Sequence, residues 1–94
     1  MKVEKVPGKN SKNKVLLYTL STCAWCRMTK QYLKDNGVEY EYIDVDQCSK
    51  EDLHKVKQDI LKKGGNLSYP VIIINDKTLI NGFRKDLIKE HLGI

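Results

Sequence analysis

Val15 to Leu20 is the first dense apolar run of the chain, six residues rich in Val, Leu and Tyr behind a polar, lysine-rich tract. A short run of that kind predicts a buried strand. From Arg27 the spacing changes. Cys26, Thr29 and Leu33 recur at helical intervals with Tyr32 alongside, and Lys30, Gln31 and Lys34 fall between them. That pattern predicts a helix that stops at Asn36-Gly37. Val38 to Val45 then alternates charge and aromatic through Glu39-Tyr40-Glu41-Tyr42 and continues as Ile43, Asp44, Val45. It predicts a strand with one wetter face, as on an outer strand of a sheet. Strand, helix and strand in that order form a parallel crossover, right-handed by default.

Asp46-Gln47-Cys48 reads as a loop. Ser49 stands as an N-cap with Asp52 three residues on, and Leu53, Val56 and Ile60 form a helical stripe that ends at Lys62-Lys63-Gly64-Gly65. Val71 to Ile74, four consecutive β-branched residues, predicts a central buried strand. Asn75-Asp76-Lys77 is turn chemistry, and Thr78 to Ile80 is the hairpin partner. A second turn at Asn81-Gly82 precedes a last short helix over Lys85 to Leu92, with Leu87, Ile88 and Leu92 on its apolar face. At the front, Met1 to Val6 predicts a short edge strand folding back beside Val15 to Leu20, with a turn at Pro7-Gly8. The fold class is therefore α/β, a mixed four-stranded sheet flanked by three helices. The chain divides into a polar N-terminal segment, 1–13, and one domain, 14–94.

Composition narrows the classes. Ninety-four residues suffice for one domain. No apolar run approaches membrane-spanning length, so no membrane role is expected. The charged stretch from Met1 to Lys14 has no apolar core and does not read as a secretory signal, which predicts a cytoplasmic protein. Thiols are kept reduced there, and a cysteine pair is more readily catalytic than a structural staple. The net charge of +5 favours acidic partners through long-range steering. No basic run is interleaved with aromatics, so nucleic acid is not among the expected partners.

The candidate chemistry is Ser21-Thr22-Cys23-Ala24-Trp25-Cys26, where the first strand gives way to the first helix. A helix N-terminus offers unpaired N–H groups and partial positive charge. A thiolate at Cys23 is stabilised there, which predicts a lowered pKa and an attacking sulfur, with Arg27 and Lys30 adding charge in the same sense. Cys26 follows by nearly one turn on the same side, in place to attack a mixed disulfide formed at Cys23. Cys23 is expected exposed and Cys26 covered. A zinc site would need a second close ligand pair, and Cys48, His54 and His91 supply none, so no metal is assigned. Cys48 reads as a half-buried loop thiol and His54 as a solvated helix position.

These residues resemble the thioredoxin fold, and within it glutaredoxins and the glutaredoxin-like redoxins that feed electrons to ribonucleotide reductase. The resemblance runs from about Lys14 to Leu92. It is carried by Tyr18-Thr19-Leu20-Ser21-Thr22-Cys23-Ala24-Trp25-Cys26-Arg27, Tyr42-Ile43-Asp44-Val45-Asp46, Ser68-Tyr69-Pro70-Val71-Ile72 and Asn81-Gly82-Phe83. It implies a thiol–disulfide oxidoreductase, with Cys23 as nucleophile and Cys26 as resolving thiol. It also implies a cis Pro70 facing the cysteines, a Tyr69 backbone that pairs with the substrate chain, and Trp25, Gly82 and Phe83 beside the bound substrate. The implied partners are disulfide-containing protein substrates and an electron-donating reductase or small thiol, for a monomer without a resident cofactor. Two departures stand out. Ala24-Trp25 replaces the Pro-Tyr common between glutaredoxin cysteines. Leu20-Ser21, Asn81-Gly82 and Phe83-Arg84-Lys85 match the family's glutathione site only in part, so glutathione as a co-substrate ranks behind a reductase. The alternative that the family offers is an iron–sulfur cluster carrier using Cys23.

Overall fold

The chain begins with β1 (Glu4–Val6) and β2 (Val15–Thr19), followed by α1 (Ala24–Asp35) and β3 (Tyr40–Asp44). Then come α2 (Lys50–Lys62), the hairpin β4 (Val71–Ile74) and β5 (Thr78–Asn81), and α3 (Lys85–Leu92). This is a computed structural model describing residues 1–94. The five strands form one sheet in the order β1-β3-β2-β4-β5. β2 and β3 are parallel, as the crossover predicts, with Thr19 opposite Asp44. β4 runs antiparallel to both β2 and β5.

The sheet separates two apolar layers, and alternation along β4 shows how. Ile72 and Ile74 join Leu33 of α1 and Ile88 and Leu92 of α3 on one face. Val71 and Ile73 join Val56 and Ile60 of α2 on the other. A strand buried on both faces has no room for polar residues, which is why β4 is apolar throughout. α2 begins where expected: the Ser49 hydroxyl accepts the N–H of Asp52 at 3.2 Å. Tyr18, buried under α2, donates its hydroxyl to Asp59 at 2.7 Å, which satisfies the one polar atom it carries into that layer.

The structure corrects the sequence in three places. β1 exists, but it pairs antiparallel with β3, Glu4 opposite Tyr42, and not with β2. Both edges of β2 are already taken by β3 and β4, so the outer edge of β3 is the one open to it. The sheet therefore has five strands, not four. β3 is also shorter than Val38 to Val45. Val38 makes an isolated bridge with Asn10, and Val45 opens a single 3-10 turn, Val45–Gln47. The chain reaches that bridge past Gly8, where a Cβ would lie 2.6 Å from both the Glu39 nitrogen and the Gly37 oxygen. Only glycine permits that approach. No helix is long and apolar enough to cross a membrane.

Ile72, fully buried between α1 and α3, carries the first prediction. Ile72→Ala should lower stability by about 2–5 kcal/mol, the usual range for truncating a packed aliphatic side chain. Urea denaturation followed by far-ultraviolet circular dichroism would measure it, and a loss under about 1 kcal/mol would mean the site repacks around the gap.

Candidate active site

The C-terminal ends of β2 and β3 point to the same end of the sheet, where ligand sites of such sheets collect. After Thr19 the chain turns through Ser21-Thr22 and enters α1. Cys23 is the N-cap of that helix, in extended conformation, and its Sγ accepts the N–H of Cys26 at 3.2 Å. A thiol thus does the work usually given to a Ser or Asp oxygen at this position. No acidic side chain lies in the first turn to compete with it. Cys23 is partly exposed, and Cys26, on the inner face of the helix, is fully buried. All three cysteines are free thiols.

Burial pushes the Cys26 thiol up to about 12, helped by the hydrogen bond it donates to Cys23 and by the charge of Cys23. In an unfolded chain a cysteine ionises near 9. Stability from keeping Cys26 neutral is therefore complete below about pH 9 and is lost as pH rises towards 12.

Beside the pair lies an open groove of about 310 Å³ lined by Trp25, Ser68, Tyr69, Pro70, Gly82 and Phe83. Every residue assigned to substrate contact from the sequence is on its wall. The Tyr69–Pro70 bond is cis. Trp25 is 59% exposed, its ring 6.4 Å from that of Phe83, which in turn meets the edge of Tyr32 at 5.8 Å. Gly82 has φ +82°, a conformation that other residues adopt with strain, and its N–H bonds to the Pro70 carbonyl at 2.8 Å. A larger hollow of about 360 Å³, lined by Lys5, Pro7, Glu39 and Tyr40 among others, sits at the opposite end of β2. No cysteine lines it, so size does not locate this site.

Three supporting contacts were not read from the sequence. Asn81 spans the groove's two loops: its amide donates to the carbonyls of Asn66 (2.8 Å) and Ser68 (3.1 Å) and accepts the N–H of Asn66 (3.0 Å). Asp46 accepts both the N–H of Ser21, at 3.0 Å, and the Ser21 hydroxyl, which ties down the turn before Cys23. The Ser21 hydrogen bonds hold the Asp46 carboxyl below the usual range. Asp44 accepts from the buried Thr19 hydroxyl at 2.6 Å and from Lys30 at 3.4 Å. All three pair residues 13 or more positions apart, so local pattern carries no sign of them. Cys48 is half-buried, its thiol near the Asp44 carbonyl (3.8 Å) and pushed up by burial. His54 is exposed, as expected.

Thiol–disulfide oxidoreductases of the thioredoxin fold carry a Cys-x-x-Cys pair at this strand–helix junction, and the chain is one of them. Residues 15–79 match the sequence profile of the Glutaredoxin family. The glutaredoxin of Methanosarcina mazei Go1 is 35% identical and superposes with a TM-score of 0.89 over all of this chain and 90% of that one. A glutaredoxin-like 8.6 kDa protein of the Clostridium pasteurianum rubredoxin operon is 34% identical over 76% of this chain and 87% of its own length. The NrdH-redoxin of Escherichia coli, a glutaredoxin-like protein described by its thioredoxin-like activity profile, is 28% identical, with a TM-score of 0.64 over 82% of this chain and 92% of that one. The chain belongs to the glutaredoxin family.

The asymmetry of the two thiols is directly measurable. At neutral pH iodoacetamide should label Cys23 first, with Cys26 at least about a hundredfold slower, since a buried thiol pushed up to about 12 carries about a thousandfold less thiolate than an ordinary cysteine. Peptide mass spectrometry would read the two sites. Equal labelling rates would contradict the burial of Cys26.

Proposed function

We propose that the protein reduces disulfides by dithiol exchange through Cys23 and Cys26. The Cys23 thiolate attacks one sulfur of a substrate disulfide. The S–S bond breaks, its electron pair leaves on the other substrate sulfur, and a mixed disulfide forms at Cys23. Cys26 then loses its proton and attacks Cys23, and the second substrate sulfur departs as a thiol. The substrate gains two electrons and the Cys23–Cys26 pair is oxidised. The observation that carries this reading is the division of exposure within the pair, one sulfur half-open on the helix cap and one sealed a turn below.

The groove supports an extended peptide as substrate. Tyr69 lies outside the strands, and neither its N–H nor its C=O is bonded within the chain. Both are free to pair with a substrate backbone as an added strand. Trp25 and Phe83 flank the same space with aromatic surface. The donor that recharges the pair is a reductase in preference to glutathione. Asp86, the first acidic residue after Gly82, is already held by Arg84 (3.3 and 3.1 Å). The thioredoxin-like profile of the Escherichia coli relative points the same way.

Two measurements follow. Cys23→Ser should abolish reduction of insulin or of a small disulfide, whereas Cys26→Ser should keep the first attack and accumulate the mixed disulfide, seen as an added mass on the protein. Retained turnover in Cys23→Ser would remove the mechanism. A donor panel addresses the second half: a thioredoxin-reductase type flavoprotein or a ferredoxin-linked reductase should restore the thiols faster than glutathione. Faster recharge by glutathione would reverse the assignment.

A further inference from the structure

The exchange described above requires Cys26 to release its proton where burial holds the proton on. We propose that Lys30, held in place by Asp44, is a positioning residue that stabilises the Cys26 thiolate while the mixed disulfide is resolved. This inference rests on the dithiol reading and adds a residue to it.

Lys30 lies four residues after Cys26 on α1, so the two share a helix face. Its side chain is only 21% exposed. The ammonium sits 3.7 Å above the ring of Tyr42 and 3.4 Å from Asp44. Asp44 is itself fixed by the buried Thr19 hydroxyl. A lysine normally reaches into water, and this one is pinned against β3 beneath the helix. A cation so placed acts through protein as well as solvent and is screened less than a surface charge.

Three groups act on Cys26 besides burial: Cys23 and Lys30 from its own helix, and the Leu20 backbone from the turn before it. Asp44 and Tyr42 of β3 act through their hold on Lys30. In the free dithiol Cys23 opposes ionisation of Cys26, both by its hydrogen bond and by its charge, while Lys30 favours it. Once Cys23 is bound to a substrate sulfur it is neutral, and its charge no longer opposes. Burial then stands against the Leu20 backbone hydrogen bond and the charge of Lys30, and Lys30 is the one charged side chain left to favour the thiolate in the step that uses Cys26 as nucleophile. In that step the proton passes from Cys26 to solvent. The electron pair of its sulfur forms the Cys23–Cys26 bond, and the Cys23–substrate bond breaks with its pair on the substrate sulfur, which is protonated from solvent.

A Cys23→Ser, Cys48→Ser double variant leaves Cys26 as the one thiol, next to an uncharged neighbour. The pH dependence of its alkylation rate should shift upward on Lys30→Gln and stay in place on Lys30→Arg. In the Cys48→Ser background, 5,5′-dithiobis(2-nitrobenzoate) releases one chromophore on capture by Cys23 and a second on attack by Cys26. Lys30→Gln should slow the second release about three- to tenfold at neutral pH and leave the first unchanged, because lost thiolate is partly offset by greater nucleophilicity. An unmoved alkylation profile, or a loss confined to the first release, would overturn the assignment. Cys26→Ser must remove the second release altogether. If it does not, the dithiol reading itself is wrong, a result separate from any outcome at Lys30.

Discussion

The hydrogen bond from the Cys26 N–H to the Cys23 sulfur sets the terms for the rest of this molecule. It makes a thiol the cap of α1 and so places the reactive sulfur where backbone N–H groups converge. It also fixes the distance between the pair, because donor and acceptor belong to the two cysteines. Without the sheet it would be a frayed first turn. β2 delivers Leu20 to the start of the turn, and the Leu20 carbonyl accepts the N–H of Cys23 at 3.1 Å. The cap is thus anchored to the strand on one side and to the helix on the other. Cys26, three residues in, falls under α1 and against the sheet, where burial keeps it neutral.

Two clamps bring the substrate groove up to this cap. One is the Asn81 side chain, which binds the loop before Pro70 with three hydrogen bonds. The other is Asp46, which holds Ser21 from the far side of the crossover. Asn81 is the last residue of β5 and Asp46 lies in the 3-10 turn that follows β3 directly, so the sheet register sets where both stand. Loops positioned by a rigid scaffold are where binding residues collect. Here each of the two loops is tied back to that scaffold by a single short polar side chain.

The sequence was most informative where one physical signal dominated. The apolar block Val71 to Ile74 and the stripes on α1 and α2 are local patterns, and the elements fell where those patterns put them. The cysteine spacing and the wall of the groove were legible because they lie in three short motifs. What escaped was pairing between distant positions. Nothing local shows that β1 joins β3, since that choice depends on which strand edges are left open once the core sheet forms. Asn81 looked like half of a turn, and Asp46 like part of a loop. Lys30 looked like a solvated helix charge near Cys23. Its actual setting, over Tyr42 and against Asp44, depends on how α1 docks on β3, which no window around Lys30 contains.

The spacing of the pair explains why the same side chain can do two different jobs here. With two residues between the cysteines, the second lies about 300° round a helix from the first and one turn deeper. If the first is the cap, the second N–H points at its sulfur, and the second side chain turns under the helix. One residue fewer would put the second side chain on the flank, clear of the core. One residue more would move its N–H past the cap. Position alone therefore separates an open sulfur that can meet a substrate from a sealed one that can meet only its neighbour. The fold needs no special residue for that distinction. What it does need is a way to let the sealed sulfur ionise when its turn comes, and a charge held beside it on the next turn of the same helix meets that requirement without exposing it to water.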